Sequence, residues 1–411
     1  MQKGTLRRLI AGVATATLLA GGVASVQPAV AAEVSVSRIG GTDRYETSAL
    51  ISQAGFAPGV DTVFVVSGQN YPDALAVGPA AGKLRAPVLL TRTQGLPGTI
   101  AAELDRLDPQ HIVVVGGAVA VSDAVVKALG AYAPDVRRIA GVDRYDTAAL
   151  VSRQYFDVAI GNAYVASGEN FPDALPASAA GGHLGAPVLL TAKNNLPPVT
   201  DAALERLDAK RLMVVGGESA ISDAVLGQIL ENTVIDGYRL AGSDRYETSA
   251  AVSAHAFGQA DTVFLANGMQ YPDALSGASL AALRGGPVLL VSNSAVSPSV
   301  CREIDRLNPS HVVALGGSGS VNDAALTTAA RGCAGLPGAP APVPTPTPNP
   351  TPGVPTPGGD VPPAVTITCS QFQTQRQAQD FYDYWVGKGF GDFYHLDDDG
   401  DGTPCEDLPR T

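Results

Sequence analysis

Four cysteines, three methionines and one tryptophan in 411 residues, with aromatics at 6%, leave little material for redox or stacking chemistry. The five histidines are scattered, with His111 and His311 at equivalent positions, and no His-Glu-x-x-His, Gly-x-Ser-x-Gly or Ser-x-x-Lys motif occurs. Those absences remove the commonest zinc-peptidase and serine-hydrolase constellations. Cations are scarce as well: 27 Lys and Arg against 39 Asp and Glu give a formal net charge of −12, which argues against generic nucleic-acid binding. Glycine pairs at Gly116, Gly216 and Gly316 lack the spacing of a phosphate-binding loop, so no nucleotide is expected. Beyond residue 32 no apolar run approaches ~18 residues, and no transmembrane anchor is expected there.

What is present begins with a leader. Residues 1–32 carry Lys3, Arg7 and Arg8, an apolar run from Leu9 to Ala20, and small residues ending at Ala31 and Ala32. This is the pattern of a secretory signal peptide, with the general secretory route favoured over twin-arginine export, and its loss makes the mature chain more acidic still. Export to an oxidising compartment suits the cysteines. Cys301 with Cys333 and Cys369 with Cys405 is the one pairing, of the three that four cysteines allow, that keeps each bridge within one unit.

The remainder is a tandem triplicate. Asp-Arg-Tyr-acidic-Thr occurs at Asp43, Asp143 and Asp244, and aromatic-Pro-Asp-Ala-Leu at Tyr71, Phe171 and Tyr271. Pro-Val-Leu-Leu follows at Pro87, Pro187 and Pro287, then the glycine pairs, then Ser122-Asp123-Ala124, Ser222-Asp223-Ala224 and Asn322-Asp323-Ala324. A period of about 100 residues fits a small domain rather than a solenoid repeat. A unit used three times favours binding over catalysis, because avidity gains from copies and an active site seldom does.

Within the first repeat, Thr62 to Val66, Pro87 to Thr91 and His111 to Val115 read as strands. Asp73 to Leu84, Ile100 to Leu107 and Val121 to Leu129 read as helices. Strands that are apolar throughout are those of a parallel sheet covered on both faces, so an open α/β sheet is predicted for each module. Asp43 and Glu46, with their counterparts, fit the N-cap and N3 positions of a helix. Module boundaries are expected at 33–135, 136–236 and 237–335.

Two groups of residues are candidates for polymer contact. Arg44, Arg144 and Arg245 suit a phosphate or carboxylate, and alternatively pair with the neighbouring Asp to staple modules together. Asp73, Asp173 and Asp273 open a helix behind Pro, where capping is the default role and a crevice at strand C-termini the functional one.

Residues 336–364 contain twelve prolines and no apolar periodicity, as in a semi-rigid polyproline spacer. Beyond it, Phe372, Ala378, Phe381, Tyr382 and Trp385 form an amphipathic stretch that would core a miniature domain. Asp397, Asp399 and Asp401 stand at positions 1, 3 and 5 of an EF-hand-like loop with Gly402 at position 6. The closing acid, Glu406, falls at position 10 rather than 12, so the loop is abbreviated. Residues 369–409 resemble the Excalibur calcium-binding domain, which implies Asp397, Asp399, Asp401 and Glu406 as calcium ligands within a 365–411 domain.

The triplicate, taken with Arg38-Ile39-Gly40-Gly41 and its counterparts at Arg138 and Arg239, resembles the cell wall binding type 2 repeat over residues 37 to about 333. The resemblance implies Toprim-like, Rossmann-like α/β modules in a pseudo-threefold array. It also implies non-covalent attachment to an anionic secondary wall polymer, teichoic-acid-like or another polysaccharide. The Asp-x-Asp dyad of a working Toprim nuclease is absent from residues 33–335, and no nuclease chemistry comes with the fold. The third repeat departs from the pattern, with Asn267-Gly268-Met269 where Ser67-Gly68-Gln69 and Ser167-Gly168-Glu169 stand. Leu408-Pro409-Arg410-Thr411 lacks the apolar tail of a sortase signal, so covalent sorting is not expected. The expectation is a secreted, monomeric, wall-surface binding protein, and not an enzyme. The alternative is a wall-remodelling hydrolase with its active site in a module crevice, at Asp73 or Asp173.

Overall fold

The computed structural model describes residues 34–70, 72–231 and 236–331, together with Ala378, Gln379, Phe381, Tyr382 and Cys405. The leader, the proline spacer and the acidic loop, hence the predicted ligands Asp397, Asp399, Asp401 and Glu406, lie outside the described residues, as do Cys333 and Cys369. Cys301 and Cys405 are each disulfide-bonded.

The first repeat supplies β1 (Ser35–Ile39), α1 (Arg44–Gly55), β2 (Thr62–Ser67), a 3-10 turn (Pro72–Ala74), α2 (Val77–Leu84), β3 (Val88–Thr91), α3 (Gly98–Leu107), β4 (His111–Val115) and α4 (Asp123–Leu129). The second supplies β5 (Asp135–Ile139), α5 (Arg144–Tyr155), β6 (Asn162–Ser167), α6 (Ala174–Leu184), β7 (Val188–Thr191), α7 (Pro198–Leu207), β8 (Arg211–Val215) and α8 (Asp223–Glu231). The third supplies β9 (Asp236–Leu240), α9 (Arg245–Ala256), β10 (Thr262–Asn267), α10 (Pro272–Arg284), β11 (Val288–Val291), α11 (Pro298–Leu307), β12 (His311–Leu315) and α12 (Asp323–Ala330).

These strands form three four-stranded sheets, β3-β2-β4-β5, β7-β6-β8-β9 and β11-β10-β12-β1, parallel throughout. As the apolar runs predicted, β2 is buried at every residue. The edge strand of each sheet, however, comes from the next repeat. β5 pairs with β4 in register His111↔Asp135 to Val115↔Ile139, and β9 pairs with β8 in the same way. β1 pairs with β12, Ser35↔His311 to Ile39↔Leu315, so the first strand completes the last sheet and the three modules close into a ring. The boundaries expected at 135/136 and 236/237 therefore fall inside β5 and β9.

Helices α2, α6 and α10 pack on one another at the centre of the ring. The approach is close because the contact is made by small residues: a Cβ added at Gly82 would lie 2.6 Å from Gly182 Cα and 2.8 Å from Ala282 Cβ. The helix predicted from Asp73 to Leu84 is instead a 3-10 turn followed by α2. Proline explains the shift. Pro79 in α2 and Pro176 in α6 each occupy the third helical position, where the missing N–H would have had no intrahelical partner. α10 has no proline after Pro272 at its first position, whose counterparts Pro72 and Pro172 precede α2 and α6, and that helix starts correspondingly earlier.

Candidate functional site

Each seam between repeats is held by an arginine that the sequence marks as a recurring motif residue without assigning it a role. Arg38, near the end of β1, donates to the Gly316 carbonyl at 3.1 Å and to Asp323 at 2.8 Å. Arg138 does the same to Gly116 and Asp123, and Arg239 to Gly216 and Asp223. The glycine-pair and Ser-Asp-Ala motifs are thus acceptors for an arginine that belongs to the following repeat. The signal was present, since an Arg recurs six residues before each Arg of Asp-Arg-Tyr.

Asp-Arg-Tyr-acidic-Thr is then accounted for residue by residue. Asp43 caps α1, accepting from the Tyr45 and Glu46 N–H groups, as Asp143 and Asp244 cap α5 and α9. Glu46 reaches one residue beyond the N-cap, accepting from the Thr42 hydroxyl and from the Thr42 N–H at 2.6 Å, and these hydrogen bonds, the hydroxyl's first, hold its carboxyl below the usual range. Thr47 accepts from the Gly41 N–H at 3.0 Å. Arg44 donates to the Gly68 carbonyl at 2.5 Å, and Arg144 and Arg245 donate to Gly168 and Gly268. No ion pair with the adjacent Asp forms among the described residues, where Asp43 accepts instead from the first turn of the helix. Arg44 also lies beside the Tyr271 ring, 5.8 Å from its centroid, which ties the first repeat to the third.

Asp73, Asp173 and Asp273 do not cap helices through their side chains. Asp73 sits in the 3-10 turn, Asp173 makes no capping hydrogen bond, and Asp273 is inside α10. Their carboxylates crowd the turn after the last strand of their own repeat, β4, β8 or β12. A Cβ at Gly116, Gly216 or Gly316 would run into the matching Asp, and each of these glycines has positive φ, from +92° to +118°. Asp273 is 8% exposed and accepts from the Ser320 hydroxyl at 2.8 Å. Burial pushes its carboxyl up, opposed by that hydrogen bond and by Arg44. Position 220 is Ala, and Asp173, with no such donor, is pushed up to about 6 by burial, with Arg245 opposing.

In a sheet of this order the chain reverses direction between β2 and β4, and the crevice at the strand C-termini there is where open α/β sheets take ligands. The third-to-first seam holds an open cleft of about 460 Å³ at this position. One wall is Thr42, Asp43 and Arg44, the floor holds Asp273, and the other wall is Gly317 to Ser320. The N–H groups of Gly317, Ser318 and Gly319 donate to no described residue, and the same holds for Gly117 to Val119 and Gly217 to Ser219. Each seam therefore pairs spare backbone donors and a carboxyl from one repeat with a guanidinium from the next, and Asp273 is the carboxyl that is buried. Among the described residues no cluster of three His, Cys, Asp or Glu could hold a metal ion, and no helix is long and apolar enough to cross a membrane.

Residues 38–126, 138–226 and 239–326 match the family Cell wall binding domain 2 (CWB2). The chain belongs to that family, in three copies. The amidase LytC (N-acetylmuramoyl-L-alanine amidase) of Bacillus subtilis is 30% identical over 298 residues, covering 72% of this chain and 58% of LytC. The amidase enhancer of the same organism is 34% identical over 271 residues, 66% of this chain and 36% of the relative. Cwp6 and Cwp8 from Clostridium difficile superpose with TM-scores of 0.68 and 0.67 at 27% and 28% identity, covering 72% and 73% of this chain and 48% and 52% of theirs. The chain thus spans roughly a third to three fifths of these proteins.

Proposed function

We infer that this is an exported protein that attaches non-covalently to an anionic secondary polymer of the cell wall through its seam crevices. The observation that carries the reading is that Arg44 lines one cleft with the spare N–H donors of Gly317 to Gly319, a combination that receives phosphate or carboxylate, and the repeat puts equivalent residues at the other two seams. Arg44, Arg144 and Arg245 would meet the anion, and Asp73, Asp173 and Asp273 would accept from sugar hydroxyls. The hydrolase alternative at Asp73 or Asp173 gains nothing specific here, because the second acid of each crevice, Asp43, Asp143 or Asp244, is engaged in capping. Pelleting the purified protein with native walls, and with walls stripped of secondary polymer, tests the reading. Binding should disappear with the polymer, and equal binding to both would overturn it.

The tail is read as a calcium-binding unit of the Excalibur type, carried on the proline spacer. Its support is the Asp397, Asp399, Asp401 and Glu406 pattern, together with the buried Ala378, Phe381 and disulfide-bonded Cys405. A cation would offset repulsion among the three aspartates, and a protein that binds calcium only when folded gains stability by mass action. Millimolar calcium should raise the melting temperature of this unit in the full chain and magnesium much less. An Asp399→Asn, Asp401→Asn variant should lose the effect, and calorimetry without a calcium heat would reject the site.

A further inference from the structure

By repeat equivalence the three seams present the same Asp and Arg beneath and differ at the rim. At the third-to-first seam the two rim positions are Gly319 and Thr42, on opposite walls of the cleft. The repeat places Ser219 and Ser243 at these positions in the second-to-third seam, and Val119 and Val142 in the first-to-second. Val119 is 85% exposed and Val142 94%, the highest exposures of any large apolar side chains among the described residues. A single exposed valine is ordinary on a protein surface. Two at equivalent rim positions of one crevice, and at neither position of the other two, are not explained by the fold, because serine, glycine and threonine serve the same backbone elsewhere.

The geometry points to the first-to-second crevice as a subsite for an acetylated sugar, the acetyl methyl lying between Val119 and Val142. This rests on the saccharide-polymer reading above. The occupant follows from what lies beneath the lip. Asp73 and Arg144, with the N–H groups of Gly117 and Ala118, call for hydroxyl, amide or acid groups, so a wholly apolar ligand would leave them unpaired. The lip calls for a small apolar group on that same polar body. An acetamido or O-acetyl sugar has both. The other two rims, Ser219 with Ser243 and Gly319 with Thr42, carry no facing pair of branched apolar side chains and would take unacylated units.

The test is an amide chemical-shift titration of the full mature chain with methyl 2-acetamido-2-deoxy-β-glucoside and, separately, with methyl β-glucoside. The acetamido probe should perturb residues 117–120 and 141–144 and bind them about tenfold more tightly than the plain glucoside, the worth of burying one to two carbons. V119G with V142T installs the residues of the third-to-first rim, which the fold already tolerates, and should abolish that preference. The reverse graft, G319V with T42V, should create it at the other seam. A Cβ at Gly319 meets nothing within 4 Å, so the graft has room. Equal affinity for the two probes, shifts confined to the other seams, or a preference that survives V119G with V142T would overturn the inference. Competition by polymer-stripped walls or by isolated polymer then tells whether the natural acetyl group sits on the wall glycan or on the secondary polymer. Wall pelleting of the same preparations separates the two readings: pelleting without a probe preference removes the acetyl subsite and leaves polymer attachment standing. A preference without pelleting does the opposite.

Discussion

Arg38 and Asp323 lie 285 residues apart in sequence and 2.8 Å apart in the structure, one near the end of the strand that opens the array and the other at the start of its last helix. With β1 in register on β12, this contact turns a tandem repeat into a ring. Asp323 is 83% exposed and Arg38 21%, so the ion pair itself contributes little, about 0–1 kcal/mol. Arg38 also satisfies the Gly316 carbonyl, and its loss leaves that group without its side-chain partner.

Arg38→Ala should therefore destabilise the third sheet by about 1–3 kcal/mol, while Asp323→Ala costs less than about 1 kcal/mol. Urea midpoints of the two variants measure the difference. Equal effects would mean that the charge pair, and not the carbonyl contact, holds the seam.

Ring closure also sets where the modules can be cut. A fragment of residues 33–135 retains β1, whose partner β12 is missing, and loses β5, whose partner β4 is left with a bare edge. A fragment of residues 40–139 keeps α1 with a complete β3-β2-β4-β5 sheet. The second should be the better folded and more often monomeric, because unpaired parallel edges invite association. Amide exchange and sedimentation of the two fragments check this, and equal protection would show that the edge strand is dispensable. Full-length protein lacking residues 34–41 should likewise lose protection across β12 and gain dimer.

The parallel sheets were legible because Thr62 to Val66, Pro87 to Thr91 and His111 to Val115 are apolar without alternation, which only two covered faces explain. The cap at Asp43 was legible from local spacing. β1 was not, because Ser35 to Ile39 has the mixed polarity of an edge strand, and its partner is set by contacts some 276 residues away. The same limit hid the role of Arg38, whose acceptors belong to another repeat. Arg44 and Asp73 were found by recurrence, but recurrence alone could not distinguish a helix cap from a carboxyl held against a glycine turn.

The raised carboxyl of Asp173 makes a pH prediction whose sign can be worked out. Its folded pKa, about 6, lies above the ordinary aspartate value, so the folded state holds its proton more tightly than the unfolded chain. That contribution to stability is fully present below about pH 4 and is lost as pH rises through about 6. Asp173→Asn, which cannot ionise, should remove the loss and be more stable than the parent at pH 7 by up to about 3 kcal/mol. Thermal melts from pH 4 to 7 should show the two proteins diverging across that window. Parallel curves would mean that Asp173 ionises in the fold as freely as in water, and wall binding by the variant would show whether the carboxylate is needed for ligand.

The last expectation concerns Arg44, Arg144 and Arg245. Each places one N–H on a carbonyl of its own repeat, Gly68, Gly168 or Gly268, so substitution has a structural cost of about 1 kcal/mol per site as well as any effect on binding. Two triple variants separate these contributions. Replacement by Lys keeps the charge and loses the planar fork, and replacement by Gln removes both. If the guanidinium groups meet an anionic polymer, the Gln variant should lose wall binding and its salt dependence, and the Lys variant should retain the salt dependence with weaker binding. Both should have similar denaturation midpoints, because both lose the same carbonyl contact. Wall binding that follows the midpoint rather than the charge would make these arginines part of the frame and move the polymer contact to the N–H groups of the glycine turns.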